Sequence, residues 1–283
     1  MPARTKQPNL PAMPAMPAVK LRGFERISVP FLEAVNRRPA VRRGLHNTLG
    51  LTFAHVVRLV TAPRWRVFGL AQVQQMVAKD GLIVAANHRS FFDLFVVTTA
   101  LIFRTRHVRE VAFPVRSAFF YTHPLGPVLN LFVAGATMWP PVFRDARRRE
   151  LNPIGFEQLA YTLGEGCLIG IHPEGTRNKG DDLTSYLPLK PGLGQLIAGC
   201  APGVLVLPVF IGGLSNDVRV EIGRSYGKLP RSQRPIRVWF GEPIRADALQ
   251  PTADAMAMTE LVFERVRALG EADRAWLASQ PGL

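Results

Sequence analysis

The sequence has little cysteine, and its two cysteines lie far apart in apolar surroundings. Cys167 and Cys200 do not have the spacing of metal ligands. We therefore expect buried thiols in a reducing compartment, with neither a structural disulfide nor a metal site. The chain also lacks internal repeats, and Gly192-Leu193-Gly194 is too sparse to form a glycine-rich nucleotide loop. These absences argue against a disulfide scaffold, a zinc protein, a repeat protein and a nucleotide-binding fold.

Long apolar runs are missing as well. The stretch 45–62 is interrupted by His46, Asn47, His55 and Arg58, so it falls short of the roughly 20 apolar residues that a membrane-spanning helix needs. Both histidines are expected to serve in packing or at an interface. The N-terminal region also lacks the charged start, apolar core and cleavage site of a signal peptide. We expect a peripheral or monotopic protein at the cytoplasmic face of a membrane.

Acidic residues are scarce, and the resulting charge is unevenly placed. The chain has 35 Lys and Arg against 21 Asp and Glu, a net charge of +14. Residues 1–66 hold twelve basic and two acidic residues, while the other 217 are near neutral, with 23 basic and 19 acidic. This asymmetry predicts an electrostatic arm ahead of a catalytic part. Five prolines predict a disordered lead-in over residues 1–22: Pro2, Pro8, Pro11, Pro14 and Pro17.

Residues 23–64 mix basic and apolar side chains. This pattern predicts an amphipathic helical segment in the membrane interface, with Arg42, Arg43, Arg64 and Arg66 near anionic lipid head groups. One alternative is a basic, solvated helix that packs on the following domain. Another is nucleic-acid binding through phosphate neutralisation, but the basic region has no recognised base-reading module. We therefore expect membrane lipids as partners, and no nucleic acid.

Residues 65–283 alternate between short apolar runs and helical patterns. This alternation predicts an α/β fold, a single catalytic domain with a mixed, largely parallel sheet flanked by helices. The predicted strands are Leu82–Ala86, Val111–Val115, Cys167–Ile171, Val204–Ile211, Val218–Ile222 and Ile236–Phe240. The predicted helices are Phe91–Phe103, Ile154–Leu163, Leu193–Gly199 and Asp254–Leu269.

Two groups of polar residues follow predicted strands. His88 and Asp93 come after the first, and a histidine oriented by a carboxylate is a competent base at neutral pH. We expect Ser90 to cap the next helix and Asp93 to lie in its first turn, where the helix dipole favours the ionised form. Glu174 and Arg177 lie just beyond another strand. The carboxyl edge of an open sheet is where α/β proteins bind ligands.

In sequence order, these motifs resemble the glycerolipid acyltransferase family typified by 1-acylglycerol-3-phosphate acyltransferase (lysophosphatidic acid acyltransferase). The resemblance covers about residues 65–245. It implies transfer of a fatty acyl group from acyl-CoA or acyl carrier protein, as co-substrate, to a hydroxyl, with no other cofactor. Four motifs carry it: Asn87-His88 to Asp93, Pro140–Arg144, Pro173–Arg177 and Val206–Val209.

The resemblance also implies roles for single residues. His88 would be the general base, oriented by Asp93, and the acceptor would attack the thioester directly without an acyl-enzyme. Arg177 and Arg144 would hold an acceptor phosphate. The acceptor or Arg177 itself would be positioned by Glu174, Gly175 and Thr176.

Lysophosphatidic acid, giving phosphatidic acid, is the expected acceptor, with glycerol-3-phosphate or another lysolipid as alternatives. A non-catalytic basic membrane- or nucleic-acid-binding protein is the alternative from another class. Three features depart from the family pattern. His172 replaces an aromatic or apolar residue, the stretch Asn178 to Pro188 is long, and Pro140-Pro141 replaces an apolar run.

Overall fold

The computed structural model describes residues 12–280 except 77, 79, 106–109, 181 and 228–234. The expected α/β fold is confirmed. It contains a seven-stranded main sheet, a separate two-stranded parallel pair, and helices on both faces of the main sheet. The strands are β1 (Trp65–Phe68), β2 (Leu82–Ala86), β3 (Val111–Ala112), β4 (Val115–Arg116), β5 (Pro141–Val142), β6 (Leu168–Ile171), β7 (Leu205–Gly212), β8 (Ile236–Phe240) and β9 (Ile244–Arg245).

The helices differ widely in length, and the last is the longest of those described. Two π-helical turns, His46–Gly50 and Leu129–Val133, continue helices. The α-helices are α1 (Glu25–Asn36), α2 (Pro39–Leu45), α3 (Leu51–Thr61), α4 (Leu70–Gln75), α5 (Asp93–Arg104), the distorted α6 (Ser117–Phe120), α7 (Leu125–Val128), α8 (Asn152–Gly164), α9 (Gly192–Gly199), α10 (Val218–Tyr226), α11 (Ala246–Leu249) and α12 (Ala255–Ala278).

The main sheet is mixed but mostly parallel. Its strand order is β1-β8-β7-β2-β6-β3, with β9 pairing on β7. Among the described strands, the β7–β8 and β7–β9 pairings are antiparallel and the others in this sheet are parallel. Strand β2 lies between β6 and β7, and it pairs with both in parallel. All five of its residues are buried. The segments that follow β2 and β6 therefore emerge side by side at the carboxyl edge of the sheet, where ligands bind in open α/β folds.

The core lies in two layers, one on each face of the sheet. Alternate residues of β2 enter opposite layers, because successive strand side chains point to opposite faces. Val84 packs in the layer that also contains Leu101 of α5. Ile83 packs in the other layer, with Leu193 of α9 and Val262 of α12. The run that reads as a buried strand in the sequence is thus covered on both faces.

Two of the predicted strands are wrong. The run Val218–Ile222 is helical and begins α10, with the Asp217 side chain accepting a hydrogen bond from the Arg219 backbone N–H as its N-cap. Five residues that alternate between apolar and polar are too few to distinguish a strand from one face of a helix. The run Val111–Val115 is divided, because β3 joins the main sheet while β4 pairs with β5.

The predicted disorder of the lead-in does not hold for residues 12–22. Met13, Met16 and Leu21 are buried in an apolar cluster that also contains Trp139. The Met16 backbone N–H donates to the Glu33 carboxylate at 2.9 Å. Burial of these large apolar side chains offsets the ordering entropy that proline content alone would leave uncompensated. Residues 1–11 lie outside the described residues.

Two arginines of the basic segment 23–64 form ion pairs inside the fold. Arg42 is buried and forms an ion pair with Glu110 at 2.9 Å, and Arg64 is buried against Glu221. The expectation that Arg42 and Arg64 lie at lipid head groups is therefore wrong, since both guanidinium groups are buried and form ion pairs inside the fold. Arg43 and Arg66 are exposed. Among the described residues, no helix is both long enough and apolar enough to cross a bilayer.

The Arg42–Glu110 pair generates a stability prediction. Glu110→Gln leaves a buried guanidinium without its counter-charge, so we expect a loss of about 3–5 kcal/mol in the free energy of unfolding. Urea denaturation at neutral pH measures it. The control is Glu150→Gln, which breaks the exposed Lys20–Glu150 pair and should cost less than about 1 kcal/mol. Equal losses in the two variants would contradict a structural role for the buried pair.

Candidate active site

The segment after β2 is held rigidly at the carboxyl edge of the sheet. Asn87 is fully buried, and its side-chain amide bonds both the N–H and the C=O of Ile211 in β7, at 2.8 and 2.9 Å. The next residue is His88, whose backbone C=O accepts a hydrogen bond from the Asn178 N–H at 2.8 Å. These bonds fix the backbone on both sides of the His88 side chain.

His88 and Asp93 are brought together by the turn into α5. His88 Nδ1 lies 3.2 Å from Asp93 Oδ2, and the same oxygen accepts the backbone N–H groups of Arg89 and Ser90, each at 2.7 Å. Asp93 is the first residue of α5. An ionised carboxylate only accepts hydrogen bonds, so Nδ1 carries the ring proton and Nε2 is left as the basic nitrogen. The pair therefore has the geometry of an oriented base.

Ser90 is not the N-cap of α5 that the sequence had predicted. The helix begins three residues later, and the Ser90 hydroxyl donates to the Ser215 C=O at 2.5 Å. It also accepts from the Phe92 N–H at 3.2 Å. The Asp93 carboxylate takes the nearby backbone donors that the Ser90 hydroxyl was expected to satisfy. Ser90 instead joins the turn to the loop after β7.

Burial dominates the charge state of the pair. It lowers the pKa of His88 to about 3, and the positive charges of Arg177 and Arg144 lower it further in the same direction. Burial also raises the pKa of Asp93 to about 6, against the opposing effect of its hydrogen bonds. The pKa of Asp93 is therefore higher than expected from its position at the positive end of the helix dipole. At neutral pH the site holds a neutral imidazole beside a mostly ionised carboxylate.

Glu174 supports the site from behind. One of its carboxylate oxygens accepts the His88 backbone N–H at 2.7 Å, and the other accepts the Leu187 N–H at 2.9 Å. The side chain is 1% exposed, and burial raises the pKa of its carboxyl group. The sequence placed Glu174 among the substrate-binding residues. In the structure both oxygens are occupied by backbone donors, so the carboxylate braces the strand end that carries His88.

Cationic side chains gather beside this pair. Arg144 donates to the Gly175 C=O, and Arg177 donates to the Asn216 side-chain oxygen at 2.6 Å; both arginines are exposed. After burial, the charge of Arg116 is the second cause that lowers the pKa of Arg144, so these two guanidinium groups are close. Arg116 was missed by the sequence reasoning, because only the pairing of β4 with β5 brings it here.

Gly175 and Thr176 lie between Glu174 and Arg177 in the motif Pro173–Arg177. Gly175 has a φ of 66°, and a Cβ there would lie 3.3 Å from the Lys190 side chain, so glycine suits this turn. Thr176 is exposed. Among the basic residues after Arg144, Arg148 forms ion pairs with Glu25, the first residue of α1, and with Asp145. Its guanidinium group therefore helps to hold α1 in place.

His172 stacks directly on the candidate base. Its ring is 3.7 Å from that of His88, with only 8° between the planes, and its Nδ1 lies 2.9 Å from the Ala86 C=O. Burial, followed by the nearby His88, lowers the pKa of His172 to about 3, so the ring is neutral at physiological pH. His172 thus acts as a flat, neutral surface that limits how the His88 ring can turn.

His88, Asp93 and His172 also place possible metal-ligand atoms within 4.8 Å of one another. A metal ion lies in the plane of each imidazole that binds it, with a metal–nitrogen distance of about 2 Å for zinc. Two nearly parallel rings 3.7 Å apart cannot both meet that condition at one ion. The arrangement fits a stacked base better than a chelate.

The long stretch after Arg177 folds back onto the site's support. The Asn178 side chain donates to the Ser185 C=O at 2.9 Å, and Arg89 donates to the Asp182 C=O. Together with the Leu187 bond to the Glu174 carboxylate, these contacts tie the stretch to the strand ends. Residue 181 of this stretch is outside the described residues.

Comparison with known proteins identifies the family of this chain. The sequence model of the family described as Acyltransferase matches residues 64–212, more than half of the chain. The chain belongs to the Acyltransferase family. It is therefore an acyltransferase, and the match spans the sheet from β1 to β7 with both polar motifs. It is similar to a solved structure titled 1-acyl-sn-glycerophosphate (LPA) acyltransferase, PlsC, from Thermotoga maritima, with a TM-score of 0.48 and 19% identity over 87% of this chain and 88% of that one.

The charge state of the pair predicts the pH dependence of this acyltransferase. Asp93 takes up a proton as the pH falls through about 6, and a neutral carboxyl group stabilises the imidazolium less well. His88 stays neutral over the same range, because its own pKa lies near 3. We expect kcat/KM to be level above pH 7 and to fall below pH 6, measured in buffers of constant ionic strength. If kcat/KM stays level down to pH 5, the rate does not depend on the ionisation of Asp93.

Proposed function

We propose that this acyltransferase moves a fatty acyl group from acyl-CoA or acyl carrier protein to the hydroxyl of lysophosphatidic acid, giving phosphatidic acid. The observation that supports this most directly is a neutral His88, held by Asp93, within electrostatic reach of exposed Arg144 and Arg177. A base for a hydroxyl and a paired cationic site for a phosphate are the two elements that this acceptor requires.

The chemistry follows from the free nitrogen of His88. Nε2 takes the acceptor's hydroxyl proton as the hydroxyl oxygen bonds to the thioester carbonyl carbon. The carbon–sulfur bond then breaks, and the departing thiolate takes the proton from His88. Asp93 stabilises the imidazolium between these steps, as the carboxylate does in other oriented-base enzymes. No covalent acyl-enzyme is needed, because the acceptor oxygen is itself the nucleophile.

Arg116, Arg144 and Arg177, which we call the arginine cluster, link acceptor binding to the strength of the base. In the free protein, Arg177 and Arg144 lower the pKa of His88. A phosphate placed between them neutralises part of that field, so it raises the affinity of Nε2 for a proton. Arg116 adds a third positive charge beside Arg144. The base therefore becomes stronger when a phosphorylated acceptor is bound.

A cavity of about 260 Å³ is a suitable site for the acyl chain. It lies along α5, and its first α5 residue, Phe95, is only two positions after Asp93. Ile102, seven residues further, also lines it, so the cavity extends about 10 Å along the helix at 1.5 Å per residue. Phe53 and Ala54 of α3 also line it, as does Phe113. A largely apolar cavity whose first α5 residue follows Asp93 by two positions suits a long hydrocarbon chain.

Glycerol-3-phosphate or another lysolipid is the alternative acceptor for the same site. The arginine cluster recognises the phosphate that glycerol-3-phosphate shares with lysophosphatidic acid, so an acceptor panel distinguishes them. Residues 23–64 and the basic arm also permit a purely binding role with membranes or nucleic acid. A purely binding role requires that the protein catalyses no acyl transfer despite the ordered His88–Asp93 pair.

Membrane attachment completes the proposal, because the acceptor and the product are lipids. Large apolar side chains are exposed on α3, on the neighbouring segment from α7 to the π-helical turn, and on α10, which contacts α3. Such a patch is typical of a binding surface. We call it the apolar face, and it comprises Leu51, Val56, Leu59, Leu125, Val128, Phe132, Val218, Val220 and Ile222. We propose that it lies on the cytoplasmic surface of a membrane as a peripheral anchor.

The reaction is tested with palmitoyl-CoA and palmitoyl-acyl carrier protein against a panel of lysophosphatidic acid, glycerol-3-phosphate, lysophosphatidylcholine and monoacylglycerol. Products are identified by mass spectrometry. We expect phosphatidic acid, and a loss of about 10²-fold or more in kcat for His88→Ala, because general-base catalysis is removed. Turnover of a folded His88→Ala protein at the native rate would contradict the mechanism.

The panel also tests the phosphate site. Arg116→Gln and Arg177→Gln should each raise the KM for lysophosphatidic acid and leave that for monoacylglycerol unchanged, since only the first carries a phosphate. Arg219→Gln, on α10, serves as the control for the loss of one positive charge elsewhere. Equal changes for the two acceptors would remove these arginines from the phosphate site.

The membrane proposal is tested by sedimentation with anionic liposomes. Leu59→Ser combined with Phe132→Ser removes two large side chains of the apolar face, which are 67% and 61% exposed. We expect a smaller bound fraction, because less apolar area enters the bilayer. Leu261→Ser, on α12 away from this face and 49% exposed, is the control. An unchanged bound fraction in the double variant would show that another surface anchors the protein.

A further inference from the structure

Three phenylalanine rings form a continuous strip beside the candidate active site. The rings of Phe91 and Phe120 are stacked, with centroids 6.0 Å apart and 6° between their planes, and Phe120 meets Phe119 edge-on at 5.2 Å. Phe91 is 38% exposed and Phe119 is 48% exposed. Single exposed apolar side chains are normal, whereas contiguous ones indicate a binding surface. We call Phe91, Phe119 and Phe120 the aromatic strip.

One end of the aromatic strip lies at the proposed base and phosphate site. Phe91 follows His88 by three residues, and its backbone N–H donates to the Asn216 side-chain oxygen at 3.1 Å. The Arg177 guanidinium group donates to that same oxygen at 2.6 Å. The Asn216 side chain therefore joins the start of the strip to a cation of the arginine cluster.

The other end of the strip follows a second cation of the cluster along the chain. Arg116 is the last residue of β4 and precedes Phe119 by three positions. Phe119 has a φ of 75° and a ψ of −58°, close to the values of the rare and strained type of γ-turn. Glycine would adopt this conformation without strain. A phenylalanine that keeps its ring exposed here is costly for folding, and strain of this kind is typical of binding sites.

The aromatic strip also adjoins the cavity proposed for the transferred chain. The Phe91 ring lies 5.5 Å from the ring of Phe95, which lines that cavity. Phe95 is buried, whereas Phe91 and Phe119 are exposed. One chain inside the cavity and another along the strip would therefore lie on different residues and still meet near Phe91.

We propose that the aromatic strip binds the acyl chain that a lysolipid acceptor already carries, while the cavity along α5 receives the chain being transferred. The inference rests on the proposed acyl transfer and adds the class of acceptor, an amphiphile with both a phosphate and a hydrocarbon chain. Arg177 is joined to one end of the strip, and Arg116 precedes the other. The surface thus changes from cationic to apolar as lysophosphatidic acid changes from phosphate to hydrocarbon. Glycerol-3-phosphate has no chain and would leave the strip uncovered.

The test measures how kcat/KM depends on the length of the acceptor's own chain. Butanoyl, hexanoyl, octanoyl and decanoyl lysophosphatidic acids are used below their micellar concentrations with an octanoyl donor, so no membrane surface is present. We expect kcat/KM to rise about twofold for each methylene, because a strip covers one side of the chain and removes about half of its surface from water. A kcat/KM that does not change with acceptor chain length overturns the inference and leaves the acyl transfer intact.

Variants assign the chain-length dependence to the strip. Phe119→Gly suits the positive φ, so we expect an unchanged or higher Tm together with a smaller rise in kcat/KM per methylene. Phe119→Tyr keeps a ring at this position and should keep the dependence. Phe31→Ala is the matched control, because Phe31 on α1 is 49% exposed and is not part of the strip. A dependence that survives Phe119→Gly unchanged, or that Phe31→Ala reduces equally, overturns the assignment.

Calorimetric titration without a donor separates this inference from the proposed reaction. We expect decanoyl lysophosphatidic acid to bind about 50-fold more tightly than the butanoyl compound, at about twofold for each added methylene. Such a preference, reduced in Phe119→Gly, supports the strip even if no acceptor is acylated. Equal binding of the two compounds contradicts the inference, and equal binding with no transfer to any acceptor contradicts both proposals.

Liposome sedimentation distinguishes the acceptor's chain from the bilayer as the occupant of the strip. If Phe119→Gly lowers the bound fraction on anionic liposomes while the monomeric lysolipids show no chain-length dependence, the rings belong to the membrane-binding surface and the inference fails. We expect the reverse, a bound fraction close to that of the native protein with a reduced dependence on acceptor chain length.

Discussion

The carboxylate of Asp93 is the group on which the site depends. One of its oxygens accepts from the His88 ring and from two successive backbone N–H groups, and the residue is fully buried at the start of α5. The same three contacts shape the turn, start the helix and orient the base. Burial makes this charge costly, which raises its pKa, and the converging donors offset that cost. One oxygen, Asp93 Oδ2, therefore holds both the turn into α5 and the ring of the proposed base.

A second carboxylate has the same kind of task one strand away. Glu174 joins the backbone of His88 to that of Leu187, and Asn87 joins β2 to β7. These buried polar side chains hold the ends of neighbouring strands at fixed separations, so the base does not depend on loop packing for its position. The cations that we propose as the phosphate site remain exposed. The candidate site thus has buried groups that position His88 and exposed positive charges beside it.

The sequence predicted those features that depend on near neighbours along the chain. Strands β2 and β8 were located at their observed bounds, since β2 is one apolar run and β8 is apolar except for Arg237. The run Val218–Ile222 was mistaken for a strand because five alternating residues satisfy both periods. The sequence did not show which basic residues are solvated and which form buried ion pairs. The partners of Arg42 and Arg64 lie 68 and 157 positions away along the chain.

The sequence by itself determined the α/β class and the His88–Asp93 pair, because five residues and one strand-to-helix turn bring those two side chains together. Only the tertiary structure decided what surrounds them. The stacking of His172 on His88 needs β6 beside β2, and Arg116 reaches the arginine cluster only through the pairing of β4 with β5. Burial and long-range pairing set these charges and hydrogen bonds, and no local pattern encodes them.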